Sequence, residues 1–339
     1  MSAPNSRYNF VLPAIVADLG RENPFAGAHM EATRYSYAAA LLELGELNPD
    51  VVVLDADVSK SMRTSDFARR FPERSFNFGI AEQNMMGTAA GLAAGGKTPF
   101  ASSFAVFAAG RAYDQVRNSV CYPNLGVKIA ATHAGVTVGP DGGSHQMVED
   151  IALMRVLPNM QVLVPSDFTA ACAAVRIAAS TPGPFYVRLG RPAVPALYDA
   201  DFKFEPGRAY VLREGSDVTL AACGIMVSRA LQAAELLAGE GISAEVIDVM
   251  SLKPLDDATI LASARKTGAV VTCEEHSVIG GLGSAVATVL ALAAPTPMEL
   301  VGVRDVFGTS GEADELLTYF GLTGADIADA ARRTIVRAS

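Results

Sequence analysis

The sequence is poor in cysteine, has no surplus of basic charge and holds no long apolar run, and each shortage removes a class of function. Its four cysteines, Cys121, Cys172, Cys223 and Cys273, lie far apart in 339 residues, without the spacing of a disulfide framework or a zinc site. That usage suits a reducing compartment, and the expected location is the cytoplasm. Half of the residues are hydrophobic, yet no uncharged apolar stretch approaches the roughly 18 to 20 residues of a membrane span. Arg7, Asp18, Arg21 and Glu22 interrupt the short apolar stretches of the first thirty residues, which lack a secretory layout. A formal charge of −9 argues against nucleic acid as a main partner. No dinucleotide fingerprint follows an expected strand, which argues against a simple NAD enzyme.

What is present is length and alternation. Residues 31–192 alternate helical and strand-like segments, the pattern of a mostly parallel sheet covered by helices. Strands are expected at Val51–Leu54, Ser75–Phe78, Thr98–Ser102, Val127–Thr132, Gln161–Val164 and Pro184–Leu189. Helices are expected at Thr33–Leu47, Glu82–Ala94, Ala108–Cys121 and Asp167–Ser180. Residues 193–210 read as a linker, and 211–339 as a second alternating unit with strands near Val218, Ala244, Ala269 and Met298. The fold class is α/β, with two doubly wound domains after an N-terminal extension, residues 1–30, that reads as a tail over a neighbouring subunit. In such sheets ligands gather beyond the carboxyl ends of the strands. Gly280-Gly281-Leu282-Gly283 fits neither a dinucleotide fingerprint nor a P-loop, and reads as a tight turn letting a helix pack closely, with Glu274, Glu275 and His276 in local hydrogen bonds.

Four segments carry candidate chemistry. Phe78-Gly79-Ile80-Ala81-Glu82-Gln83-Asn84-Met85 sets one carboxylate, Glu82, among small and apolar residues at a strand-to-helix junction. A desolvated carboxylate holds or moves protons as a surface one does not; an ordinary first-turn acid, favoured by the helix N-terminus, is the plainer reading. Phe104 and Phe107 lie three apart after a strand, so both rings face one pocket or join the core. A glycine-rich loop then holds His133, Asp141 and His145. Arg34 and Arg191 suit phosphate recognition through a guanidinium fork, or surface ion pairs.

Together and in this order, from about Met30 to the C-terminus, these segments resemble the C-terminal half of transketolase, its pyrimidine-binding and C-terminal domains. The resemblance is carried by Ala32-Thr33-Arg34, by Asp55-Ala56-Asp57-Val58-Ser59-Lys60-Ser61, by the Glu82 segment, by Thr132-His133-Ala134-Gly135, by Asp141-Gly142-Gly143-Ser144-His145-Gln146 and by Leu189-Gly190-Arg191-Pro192. It implies thiamine diphosphate as cofactor, with Glu82 bonded to the aminopyrimidine and controlling its tautomer, and with Phe104 and Phe107 bracketing that ring. Asp57 and Ile80 match positions beside the cofactor. His133 and His145 match residues on the donor ketose hydroxyls, with His145 also a proton shuttle. Asp141 matches a residue that reads an acceptor hydroxyl. Arg34, Ser61 and Arg191 match the grip on the sugar phosphate. The family's third pocket aromatic is replaced by Gly110, with Tyr113 or a partner residue left to close the pocket.

The resemblance also implies a missing half. The transketolase domain that holds the diphosphate and Mg2+ carries Gly-Asp-Gly, which is absent from this chain. No metal ligands are therefore expected here. The chain is expected to be one subunit of a split transketolase, active in an α2β2 heterotetramer with an N-terminal subunit and acting on sugar phosphates. The beta subunit of a 2-oxoacid dehydrogenase E1 component shares the layout and is the alternative. A scaffold that kept the fold and lost the chemistry is a third reading, opposed by the presence of Glu82, both loop histidines, Asp141 and both arginines.

Overall fold

The computed structural model describes residues 28–339. The reading of the N-terminal extension as a tail over a neighbouring subunit falls, for residues 1–27, outside the described residues. The first unit is built on a seven-stranded sheet in the order Ser251–Lys253, Gln161–Leu163, Phe185–Arg188, Lys128–Thr132, Thr98–Phe104, Val51–Asp55, Ser75–Asn77. Every pairing is parallel except the one made by Ser251–Lys253. Alternation along the strands explains the layers. Val52 and Leu54 face one core with Met85, Met86 and Ala89, while Val51 and Val53 face another with Tyr37, Leu41 and Phe185. Both faces are thus covered, and truncating a fully buried side chain such as Ile129 to Ala would cost about 2–5 kcal/mol.

The helix Thr33–Leu47 has the expected bounds, as does Glu82–Ala94. Asp167 is the cap of the next helix rather than its first residue: Phe168–Ser180 begins beyond it, and the Asp167 carboxylate accepts from Ala170 N at 2.7 Å. The regular helix expected at Ala108–Cys121 is different. The chain turns at Val106 into two π-helical stretches, Val106–Arg111 and Val116–Cys121, with Ala112 N bonded to Phe107 O at 3.2 Å. Such widened turns change which residues share a face and recur at functional sites.

The second unit is a five-stranded sheet in the order Met298–Val303, Val270–Ser277, Val218–Ala222, Ala244–Asp248, Tyr210–Arg213, antiparallel only at its last pair. It does not merely follow the first unit. Its Ser251–Lys253 segment completes the first sheet, and Arg188 bonds both Asp150 Oδ2 at 2.8 Å and the carbonyl of Glu275 at 2.9 Å. The 193–210 segment packs as well, with Ala193–Pro195 paired to Met30–Ala32 and Phe204 buried. At the Gly280 turn, Leu282 N and Gly283 N both donate to the Glu274 carboxylate, at 2.7 and 2.8 Å, and a side chain on Gly281 would overlap that carboxylate. The turn is a helix cap, as its glycines suggest.

Candidate active site

The site lies at the carboxyl ends of the central strands of the first sheet, where Asp55, Phe104 and Thr132 end their strands side by side. Glu82 opens the helix Glu82–Ala94 and its side chain is 1% exposed. Burial of a carboxylate demands a partner, and the partner is Arg111. Its Nη1 donates to Oε1 at 3.0 Å and to Oε2 at 2.9 Å, and its guanidinium carbon stands 4.5 Å from the centre of the Phe107 ring. The rest of the Arg111 side chain reaches solvent, with 48% exposure.

A chain of ring contacts leads from there to the histidine loop. Phe107 lies 6.1 Å from Phe104, nearly parallel at 14°, and meets His145 edge-on at 5.5 Å. Phe104 stacks on His133 at 3.9 Å. Phe104 is thus mostly enclosed, and Phe107 carries the more open face. His133 has φ of 57°, a left-handed conformation that costs a non-glycine residue on the order of 1 kcal/mol or more and collects at functional sites. Its Nδ1 meets the Thr132 hydroxyl at 2.7 Å. Burial, helped by the nearby charges of Arg34 and Arg191 and by His145, pushes its pKa down to about 3, so the ring is neutral. His145 is half-buried and its Nδ1 meets Ser144 Oγ at 3.0 Å.

The loop between the two histidines is held by the second unit. Thr137 N donates to Glu275 Oε1 at 2.6 Å, Gln146 Nε2 donates to Thr309 O at 2.8 Å, and a side chain on Gly135 would overlap the Glu275 carboxylate. Two arginines converge on the same place. The head of the first helix is tied to the Arg191 turn through Gly190 N, which donates to Thr33 Oγ1 at 2.8 Å. Arg34, next to Thr33, donates to Ser61 O at 3.4 Å, and its Nε is buried without a protein acceptor. Arg191 donates to Val138 O and lies 3.4 Å from Asp141. A buried guanidinium nitrogen left without a protein acceptor is a donor open to a ligand or a water.

Glu82, Phe104, Phe107, His133, His145, Arg34, Ser61, Asp141 and Arg191 are therefore brought together. Asp57 and Ile80 stand apart from this chain of contacts. Asp57 is exposed, at φ of 64°, with Asn77 Nδ2 3.5 Å from its carboxylate, and Ile80 is 77% exposed. Tyr113, expected as a candidate to close the pocket, turns its hydroxyl to Leu153 O at 3.2 Å, and Arg111 covers Phe107 instead.

The profile described as the transketolase pyrimidine-binding domain matches residues 29–196, and that of the transketolase C-terminal domain matches residues 207–327. The chain belongs to the transketolase family. A putative transketolase C-terminal section of Methanocaldococcus jannaschii is 51% identical, over 87% of this chain and 93% of its own length. A subunit of a 6-deoxy-6-sulfo-D-fructose transketolase from Clostridium sp. is 47% identical, over 90% of this chain and 94% of its own. Among solved structures, a split-gene transketolase characterised as an inactive beta4 tetramer aligns with a TM-score of 0.85 at 59% identity, covering 90% of this chain and 98% of that one. The first two of these relatives are a transketolase section and a transketolase subunit of about the same extent as this chain. In this transketolase-family chain, sequence reasoning missed Arg111 as the partner of Glu82 and Glu275 as the brace of the loop. The i, i+4 spacing of Phe107 and Arg111 is the one signal for the first; nothing local announces the second.

Proposed function

We propose that the chain is the pyrimidine-binding subunit of a split, thiamine diphosphate-dependent transketolase, transferring a two-carbon ketol unit from a ketose phosphate to an aldose acceptor. The observation that carries this reading is a single carboxylate, 1% exposed, at a helix start beyond the carboxyl ends of a parallel sheet. The surroundings fit an aminopyrimidine. Glu82 is acceptor-only when ionised and lies in a pocket with the face of Phe107, which suits a flat ring that donates one hydrogen bond and stacks. When bound, thiamine diphosphate supplies the nucleophilic carbon that attacks a ketose carbonyl.

The chain's own residues do the rest. Glu82 bonds the ring nitrogen and holds its proton in place, and the apolar walls strengthen that bond by excluding water. Phe104, packed behind Phe107, keeps that face fixed, and Asp57 and Ile80, exposed and apart from these contacts, are assigned to the cofactor by the resemblance alone. His133, neutral and fixed by Thr132, offers Nε2 to a donor hydroxyl. His145, half-buried at the mouth, moves protons at the substrate oxygens. Arg34, Ser61 and Arg191 grip the anionic end of the sugar, and Asp141 reads an acceptor hydroxyl. A net charge of −9 does not oppose this, because the field that counts is local.

Relatives described as a transketolase C-terminal section and a transketolase subunit support assigning the diphosphate and Mg2+ to a separate N-terminal subunit, in an α2β2 assembly. Four buried, unpaired cysteines support the cytoplasmic placement. The test is a pair of assays on the chain reconstituted with that subunit, thiamine diphosphate and Mg2+. Ketol transfer from a ketose phosphate to an aldose is the expected activity. Decarboxylation of a 2-oxo acid with no ketol transfer would overturn it in favour of an E1 beta subunit.

A further inference from the structure

Glu82 is not waiting with an empty acceptor. Arg111 Nη1 spans both of its oxygens, at 3.0 and 2.9 Å, and the same guanidinium covers Phe107 at 4.5 Å. A flat group with nitrogen donors thus already bonds the carboxylate and already lies on the aromatic ring. Those are the two contacts that the proposed function asks of the aminopyrimidine. We infer that Arg111 is a built-in occupant of the pyrimidine seat: it holds Glu82 and Phe107 in the free chain and is displaced when the ring enters. This rests on the thiamine reading of the site and adds a specific cost to cofactor binding.

The asymmetry of the pair supports displacement rather than a permanent brace. Glu82 is 1% exposed, whereas Arg111 is 48% exposed. The guanidinium therefore comes from the mouth of the pocket and can return to water without leaving a buried cation, while the carboxylate cannot leave. The backbone favours the same movement. Arg111 ends a π-helical stretch, in which Ala112 N reaches back to Phe107 O at 3.2 Å. Its neighbour Gly110 has open space, since a Cβ there would meet only the tip of Met147, at 3.9 Å. A widened turn with an unpacked glycine lets the arginine swing without disturbing the core.

The seat has one further property. Without a cation or a ring donor, Glu82 would be a buried charge with no partner, so the guanidinium keeps the empty pocket folded. The aminopyrimidine must then compete with Arg111, and binding falls by the fraction of molecules in which the arginine is seated. The diphosphate end, held by the other subunit, supplies the extra affinity that tips the exchange.

The experiment is a calorimetric titration of thiamine diphosphate into the assembled complex carrying wild-type chain, Arg111→Met or Arg111→Gln. Methionine keeps the stem and removes the charge; glutamine keeps one donor to Glu82 and serves if the methionine variant does not fold. The free variant chains should unfold at lower temperature than wild type, and Glu82→Gln added to Arg111→Met should restore part of that loss. In the complex, Arg111→Met should bind the cofactor about tenfold or more tightly than wild type, with Arg111→Gln between the two. Wild-type and variant complexes of equal affinity, or weaker binding by both variants, would overturn the inference while leaving the thiamine reading intact. A wild-type complex that binds no thiamine diphosphate would overturn that reading and this inference with it.

Discussion

In the proposed function Glu82 is the residue on which the chemistry turns, and its burial fits it for that role. An exposed carboxylate would share its hydrogen bonds with water; one that is 1% exposed gives them to whatever enters. Glu82→Gln in the assembled enzyme is expected to lower kcat for ketol transfer by about a hundredfold or more, with assembly intact. Gel filtration alongside steady-state kinetics checks both halves. His133 gives a second test through pH. Its folded pKa of about 3 lies below its ordinary 6.5, so between those values the unfolded chain binds more protons. Its contribution to stability is complete above pH 6.5 and is lost as pH falls toward 3. His276, pushed down to about 4 by burial, adds a slope of the same sign. Measured against wild type at each pH, the thermal midpoint of His133→Asn should therefore rise as pH falls from 6.5 to 4, whatever the net slope that Asp248 and Glu274 impose with the opposite sign. Most of these residues were legible in the sequence, because Glu82, the two loop histidines and the two arginines follow a family order. Arg111 was not. Its meeting with Glu82 depends on a π-helical turn that an evenly periodic reading passes over.

Among the elements, the central strands and most of the helices were legible, and three short edge strands were not. Thr33–Leu47 and Glu82–Ala94 follow from runs of small and apolar residues, whereas Met30–Ala32, Ala193–Pro195 and Ser251–Lys253 are three-residue strands that exist because a distant partner is there. The same long-range logic joins three elements at Asp248. Ser166 Oγ donates to its Oδ2 at 2.5 Å and the Tyr198 hydroxyl at 2.9 Å, tying the first unit and the connecting segment to the strand Ala244–Asp248. Burial pushes its pKa up to about 7, against the lowering effect of the two hydroxyls. The sign is opposite to that of His133. The folded state holds a proton that the unfolded chain has released, so this contribution is complete below about pH 4 and is lost as pH rises to 7. Asp248→Asn should raise stability at pH 8 relative to wild type, on the order of 4 kcal/mol, and leave it nearly unchanged at pH 4. Chemical denaturation at the two pH values would read the difference, and an equal shift at both would refute the assignment.

For the whole molecule, the proposed function has the described chain carry one side of a site. The Glu82 pocket, the histidine loop and the arginine pair are assembled within it, and the second unit braces them through Glu275 and Thr309. Phe76, in the edge strand Ser75–Asn77, is 41% exposed and Ile80 is 77% exposed, apolar surface that the proposed partner subunit could cover. The second domain was legible as an alternating series, but its service to the first was not, because Glu275 and Thr309 lie more than a hundred residues from the loop they hold. If Glu82 acts on a cofactor whose diphosphate is held by another chain, affinity must follow assembly. Thiamine diphosphate titrated with Mg2+ into the purified chain, and then into the chain mixed with its N-terminal partner, measures this. No saturable binding by the chain alone and tight binding by the mixture are expected. Tight binding, with ketol transfer, by the chain alone would contradict the split site.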